Sequence, residues 1–278
     1  MEAFDQGLRD AGLLQGQHVA IELRHSALGI EQLRALAAEL LKLDVGTIAT
    51  FGDVAPRAAQ QVTTTVPIAA IADDVLGGGL VESLARPGGN TTGITLLSPE
   101  LCAKRLAVLK EIFPNLSEAG FLWDPSSGKS QIKATEHAAR LLNVKLSIFE
   151  IQRPSDLAGA LQAARQAGME AINVGASPLL SSMYRSIVDF TALNGLPAIY
   201  QWREHAVSGG LASYGAGLTE MWRETGLLVA KLLRGANPAE LPIRQPTKFE
   251  LVLNLATAKT LRLTLAPSLL IRADEVIE

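Results

Sequence analysis

Ser126-Ser127-Gly128-Lys129-Ser130 carries the Gly-Lys-Ser ending of a phosphate-binding loop, set between an apolar run and a helical one. The complete pattern, G-x-x-x-x-G-K-[ST], needs a glycine five residues earlier so that backbone N–H groups can close on phosphate. Trp123 stands there, which argues against a nucleotide. Gly175-Ala176-Ser177-Pro178-Leu179 comes nearest to a nucleophile elbow, but Leu179 replaces the glycine that lets the turn close, so an ordinary strand-to-helix turn is expected. His18, His25, His137 and His205 fall at no metal-ligand spacing and read as surface or capping residues. Gly77-Gly78-Gly79 does not complete G-x-G-x-x-G and reads as a flexible loop, with anion binding the lesser alternative. Cys102 is the only cysteine, so neither an internal disulfide nor a cysteine-rich metal site can form. These residues point to no enzyme, no metal and no cofactor.

With catalysis unsupported, the question becomes what scaffold presents the polar loops. At 278 residues the chain has the length of about two domains. Its 48% hydrophobic and 19% charged residues suit buried cores rather than disorder. A net charge of −3 provides no basic surplus for phosphate backbones, which excludes nucleic acid as the expected partner. No apolar run approaches the roughly 18 residues of a membrane-spanning helix. The opening Met1-Glu2-Ala3-Phe4-Asp5 has neither the basic flank nor the apolar core of an export signal.

Apolar periodicity alternates between extended and helical. Residues 18–23, 45–51 and 66–72 read as strands, and the segment 30–43 between them as an amphipathic crossover helix with Ile30, Leu33, Leu36, Ala37, Leu40 and Leu41 on one face. Strand, helix, strand implies a parallel pair joined by a right-handed crossover. The second half repeats this with strands at 119–123, 144–151, 170–174 and 196–200. A helix near 99–113 is expected there, capped by Ser98, with Leu101, Leu106, Leu109, Ile112 and Phe113 as its buried stripe. Pro67 and Pro197 each sit at the start of an apolar strand, one of the few strand positions proline tolerates. A further strand-like run, Ile94 to Leu97, follows the turn cluster Pro87–Gly93; a helix at 218–234 and a strand at 249–255 come later. The expected fold is α/β: two doubly wound parallel-sheet lobes joined by a hinge, one from 1–96 with 216–250, the other from 97–215 with 251–278. The chain opens on a helix, Phe4 to Asp10, where such a lobe would open on a central strand, so the first strand of lobe one is expected to lie upstream.

Ligands of open parallel sheets bind beyond the carboxyl ends of the strands. Here those loops hold Thr50, Phe51 and Asp53, then Asp73 beside Asp74, then Trp123, Asp124 and Ser126, then Ser177, Tyr200, Trp202 and Tyr214. Only 5% of residues are aromatic, yet five of these eleven candidates are. Rings with a few interspersed polar groups are what orients a small ligand; the alternative for any single ring is that it covers a lobe edge. The Asp73-Asp74 pair offers acceptors for an ammonium or hydroxyl group. Arg203 has the planar fork that holds a carboxylate, unless it is spent on a surface ion pair with Glu204 or Asp124.

Several motifs together resemble the substrate-binding proteins of ABC importers, of the type I two-lobed periplasmic class and the branch related to tryptophan- and tyrosine-binding lipoproteins. They are Phe4 to Gly12, the run Ser83-Leu84-Ala85-Arg86-Pro87-Gly88-Gly89-Asn90-Thr91-Thr92-Gly93, Ile199 to Glu204 followed by Gly210 to Gly215, and Gln245 to Leu255 with Arg272 to Ile277. The resemblance spans essentially the whole chain. It implies a non-enzymatic, extracytoplasmic receptor, monomeric, that traps a small solute by hinge closure and delivers it to a permease and its ATPase. An aromatic or branched amino acid, or a related carboxylate, is the cargo it suggests. Two loops depart from the family pattern: Ala72-Asp73-Asp74-Val75 where Gly-Asp-Pro is usual, and Trp123-Asp124-Pro125-Ser126 where Asn-Pro-Asn is usual. The alternative on the same scaffold is a cytoplasmic small-molecule sensor.

Overall fold

The computed structural model describes residues 1–26 and 29–278. The chain separates into two compact units, Met1–Leu96 with Leu218–Thr247 and Leu97–Gly217 with Lys248–Glu278. In chain order, the first opens with α1 (Glu2–Asp10), α2 (Gly29–Lys42), β1 (Ile48–Phe51), α3 (Val54–Gln60), β2 (Ile68–Ala72) and β3 (Thr91–Thr95). Strand order is β1-β2-β3, all parallel. Every residue of β2 is buried, as expected of a near-continuous apolar run at the centre of a sheet covered on both faces.

The second unit continues with α4 (Ser98–Ile112), β4 (Glu118–Trp123), α5 (Ser130–Leu141), β5 (Lys145–Glu150), α6 (Leu157–Gln166), β6 (Ala171–Val174), α7 (Pro178–Ser182), α8 (Tyr184–Leu193), β7 (Ala198–Tyr200), α9 (Arg203–Val207) and β8 (Ala212–Ala216). The chain then returns to the first unit as α10 (Leu218–Leu233) and ends in the second as β9 (Phe249–Asn254), α11 (Leu255–Thr260), α12 (Pro267–Arg272) and β10 (Glu275–Ile277). The seven strands run β10-β9-β8-β7-β6-β4-β5. All neighbours are parallel except β8 and β9, which pair antiparallel. Alternate residues of β6 serve opposite cores: Ala171 joins the cluster under α4, while Ile172 and Val174 join the one under α6 and α8.

Local sequence accounts for much of this. On α4, Leu101, Leu106, Leu109 and Ile112 are buried, each leucine contributing roughly 1.5–3 kcal/mol. Its N-cap, however, is Leu97 in a left-handed conformation (φ 54°), and Ser98 is the buried first helical residue, one position later than expected. The two prolines play matching parts. The Pro67 carbonyl accepts the Ile48 N–H at 2.9 Å, and the Pro197 carbonyl accepts that of Ile172 at 2.8 Å, so each extends its ladder one residue ahead of the strand.

Two expected strands are corrected. The segment 18–23 forms none: Val19 makes only an isolated bridge to Gln15. Val19 and Ile21 instead lay their apolar side chains against the cluster of Phe4, Leu8 and Leu228. Its alternating pattern is real, but its inward residues find a helical surface rather than a ladder partner. The strand placed at Ile94 to Leu97 starts earlier, at Thr91, because Thr91 to Thr95 pair in register with Ile68 to Ala72.

Candidate functional site

In the first unit, the carboxyl end of β1 carries Thr50 and Phe51. Thr50 is buried and its Oγ1 has no hydrogen-bond partner among the described residues. Phe51 is half-buried and stacks on Trp222 of α10, ring centroids 5.5 Å apart and planes 27° from parallel. Gly52 follows with φ 82°, the left-handed turn that glycine permits, and its N–H closes on the Ile71 carbonyl. This turn brings Asp53 to the end of β2, where its Oδ1 accepts the backbone N–H of Asp73 at 2.9 Å and of Asp74 at 3.4 Å. Asp53 and Asp73 are both 3% exposed. Burial, and then the neighbouring Asp73 charge, push the Asp53 carboxyl up to about 7, against the lowering effect of those N–H groups and of Arg57.

Gly77-Gly78-Gly79 is a hydrogen-bonded turn rather than a loose loop. The Gly77 N–H is held by Asp74 Oδ1 at 2.8 Å, that of Gly78 by the Asp74 carbonyl and that of Gly79 by the Leu76 carbonyl. Those N–H groups are committed within the chain, which argues against the anion-binding alternative.

In the second unit, the β4 loop is likewise self-satisfied. Asp124 caps the turn of residues 125–127, its Oδ1 accepting the Ser126 N–H and its Oδ2 the Ser126 hydroxyl. The Ser127 and Gly128 N–H groups go to the carbonyls of Asp124 and Pro125, and Trp123 Nε1 donates to the Gly128 carbonyl at 2.9 Å. Every N–H that a phosphate would use from Ser126 to Gly128 is thus occupied. Ser126 itself is exposed. Ser177 caps α7, its Oγ accepting the Leu180 N–H, so it acts as a helix cap and not as a nucleophile.

The aromatic candidates here divide. Trp202 is 3% exposed and its Nε1 donates to Ser181 Oγ at 3.3 Å. Tyr214 is half-buried against Phe249. Tyr200 is fully buried in the core of α6 and α8, its hydroxyl paired with Thr191 Oγ1 at 3.1 Å, and burial raises its pKa well above the ordinary phenol value. A ring with no exposed surface presents nothing to a solute, so its place in the expected lining is corrected to one in the core. Arg203 is spent on a bidentate ion pair with Glu275, not with Glu204 or Asp124.

Several residues escaped the sequence reading. His205, expected at the surface, is 6% exposed, stacked on Tyr184 with the edge of Tyr200 against it; burial, then the Arg105 charge, lower its pKa to about 4. Arg105 is fully buried, donating to the Tyr214 carbonyl and to Cys102 Sγ, with no carboxylate within ion-pair distance among the described residues. Its signal was available: it falls four residues from both Leu101 and Leu109, on the apolar stripe of α4. Gln131 bridges α5 to the β6 loop by bonding both the N–H and the carbonyl of Ala176. Among the described residues, no group of three or more His, Cys, Asp or Glu side chains is placed to hold a metal, and no helix is long and apolar enough to cross a membrane.

Helices packed on mainly parallel sheets in both units give the chain the type I periplasmic-binding-protein fold. The chain belongs to the ABC transporter substrate binding protein family, whose pattern it matches over residues 1–277. It is 23% identical to a tyrosine-binding protein of Clostridioides difficile (strain R20291), over 94% of this chain and 75% of that one. Among solved structures it resembles a Streptococcus pneumoniae ABC domain in complex with L-Trp, at TM-score 0.89 and 22% identity over 99% of this chain and 96% of the other. It also resembles the ligand-free, open structure of a Clostridium difficile substrate binding protein with adhesive properties, at TM-score 0.69 and 19% identity over 100% and 93%. The family and these relatives are ligand-binding proteins, not enzymes.

Proposed function

We propose that this protein is the extracytoplasmic solute receptor of an ABC importer, monomeric, closing about a hinge on an aromatic or branched amino acid or a related carboxylate, and passing it to a permease driven by an ATPase. The observation that carries the reading is the family match along residues 1–277, on units whose strand-end loops hold Phe51, Asp53, Asp73, Trp123, Trp202 and Tyr214. The relatives named for tyrosine and bound to L-Trp favour an amino-acid cargo. Substrate choice resides in the loops rather than in the scaffold. Closure follows if the solute gains contacts only in the closed form, since only differential affinity shifts such an equilibrium.

A thermal-shift screen against amino acids, aromatic acids and sugars tests this. A true ligand at one hundred times its dissociation constant stabilises the fold by about 2.7 kcal/mol. Chemical turnover of a hit overturns the receptor reading, and stabilisation by sugars alone overturns the cargo.

A further inference from the structure

We infer that Arg105, Cys102 and Gln131 form a buried polar relay in the second unit that sets the strand-end loops of β6 and β8 relative to each other, which makes Arg105 and Cys102 positioning residues for solute binding. The binding half of this inference rests on the receptor reading above; the relay itself does not.

All three residues are 0% exposed, so none presents a surface to a solute. They join end to end. Arg105 on α4 donates from one Nη to the Tyr214 carbonyl of β8 at 3.2 Å and from the other to Cys102 Sγ at 2.8 Å. Cys102 Sγ meets Gln131 Oε1 on α5 at 3.2 Å. Gln131 grips Ala176 in the β6 loop by both main-chain groups, accepting its N–H and donating to its carbonyl, each at 2.8 Å. That double grip fixes which end of the amide faces Cys102: the sulfur meets an acceptor, so the thiol donates its proton to Gln131 while accepting from Arg105. Polarity therefore runs one way from the guanidinium through the thiol to the amide, and hydrogen bonds aligned like this in a low-dielectric interior strengthen one another. Asn173, equally buried, donates from Nδ2 to the Cys102 carbonyl at 2.8 Å and ties the middle of the chain to β6 itself. The β7 loop joins by contact. A Cβ on Gly215 would fall on the Gln201 carbonyl oxygen, so holding the peptide between Tyr214 and Gly215 also holds Gln201, the neighbour of Trp202. Stability alone would be served by leucine at position 105, which would complete the α4 stripe of Leu101 and Leu109 with no charge to desolvate. Leucine could not fasten a β8 carbonyl to the thiol that fastens the β6 loop, and that is the task the guanidinium performs.

Cys102→Ser and Cys102→Ala remove the same sulfur and differ only in a hydroxyl that can both accept and donate, so the pair separates the relay from packing. Amide hydrogen exchange on the ligand-free full chain, each variant first checked for an intact melting transition, is expected to show Ala176 exchanging about tenfold faster in Cys102→Ala and within about threefold of the parent in Cys102→Ser. Calorimetric titration with L-tyrosine as the probe is expected to follow the same order, about tenfold weaker with alanine and close to the parent with serine. Gln131→Leu, at one end of the relay, should shift the amide resonance of Gly215 at the other, and should not do so in the Cys102→Ala background. Equal exchange at Ala176 in the serine and alanine variants, or a Gly215 shift that survives without Cys102, overturns the relay. If Cys102→Ala does not fold, Gln131→Leu decides alone, and an unmoved Gly215 resonance overturns the relay. Parent affinity for tyrosine in Cys102→Ala, with Ala176 exchange accelerated, overturns the positioning role. A parent protein that does not bind L-tyrosine overturns the amino-acid cargo and the positioning role with it, while the exchange rates still decide the relay.

Discussion

Asp53 Oδ1 accepts the backbone N–H of Asp73 at 2.9 Å, so one carboxyl fastens the end of β1 to the end of β2 while lying beside a second carboxyl. The bond needs an acceptor, not a charge. In a site this buried, the negative charge is the expensive part, and the neutral acid suffices for the bond.

Replacing Asp53 by Asn keeps an acceptor of the same shape and removes the titration. The folded pKa of about 7 exceeds the unfolded 3.8, so the group's stabilising contribution is full below pH 4 and is lost as pH rises through 7. Asp53→Asn should therefore melt higher than the parent at pH 8, by about 2–4 °C for each kcal/mol recovered, and the gap should close by pH 4. A gap independent of pH in differential scanning calorimetry contradicts this account.

His205 acts with the opposite sign. Its folded pKa of about 4 lies below the unfolded 6.5, so its contribution is present above pH 6.5 and is lost as pH falls through 4. Between pH 4 and 6.5 the first unit should lose stability with rising pH, and the second should gain it. Hydrogen-exchange protection, corrected for intrinsic rates, should move in opposite directions in β2 and β7. Asp53→Asn should flatten only the first slope and His205→Phe only the second. Slopes of the same sign, or variants that flatten neither, would rule out these two groups as the cause.

How much of this was readable in advance depends on how local the cause is. The strands at 119–123 and 170–174 and the helices at 30–43 and 218–234 follow from apolar periodicity within a short window, and all four form close to the expected bounds. The segment 18–23 shows the limit. Alternation states that one side of a segment is apolar, not whether a ladder or a helix pair will cover it. Strand-end position makes Phe51, Asp53 and Trp202 candidates for the site. It could not separate Tyr200, which ends β7 like the others but turns into the core, because the face of the sheet is decided by register with Ser213. Trp222 lies on a helix outside any strand-end loop and meets Phe51 only in the folded unit.

Tyr200 supplies a prediction that separates core from lining. Tyr200→Phe removes the hydroxyl bonded to Thr191 and leaves the ring in place. The expected loss is about 0.5–1.5 kcal/mol in urea unfolding, with no change in affinity for whatever ligand the screen identifies. A binding defect without a stability defect would return Tyr200 to the lining.

The last prediction concerns how α1 and α10 approach one another. Gly7 and Gly226 face each other at their crossing: a Cβ on Gly7 would fall on the Arg223 carbonyl oxygen, and one on Gly226 on the Phe4 carbonyl oxygen. Both obstacles are backbone, which cannot rotate aside, so Gly226→Ala must separate the helices. Alanine has the better helix propensity by about 1 kcal/mol, which partly offsets an overpacking cost of about 1–3 kcal/mol or more. The net effect should be destabilising, and it should reach the stack, because Phe4 on α1 is the edge that holds Trp222 on α10. Urea unfolding should report lower stability. Gly159→Ala on α6, where a Cβ meets nothing within 4 Å, is the matched control and should be neutral or stabilising. Gly226→Ala leaving stability unchanged would mean that the two helices are not held at the separation described.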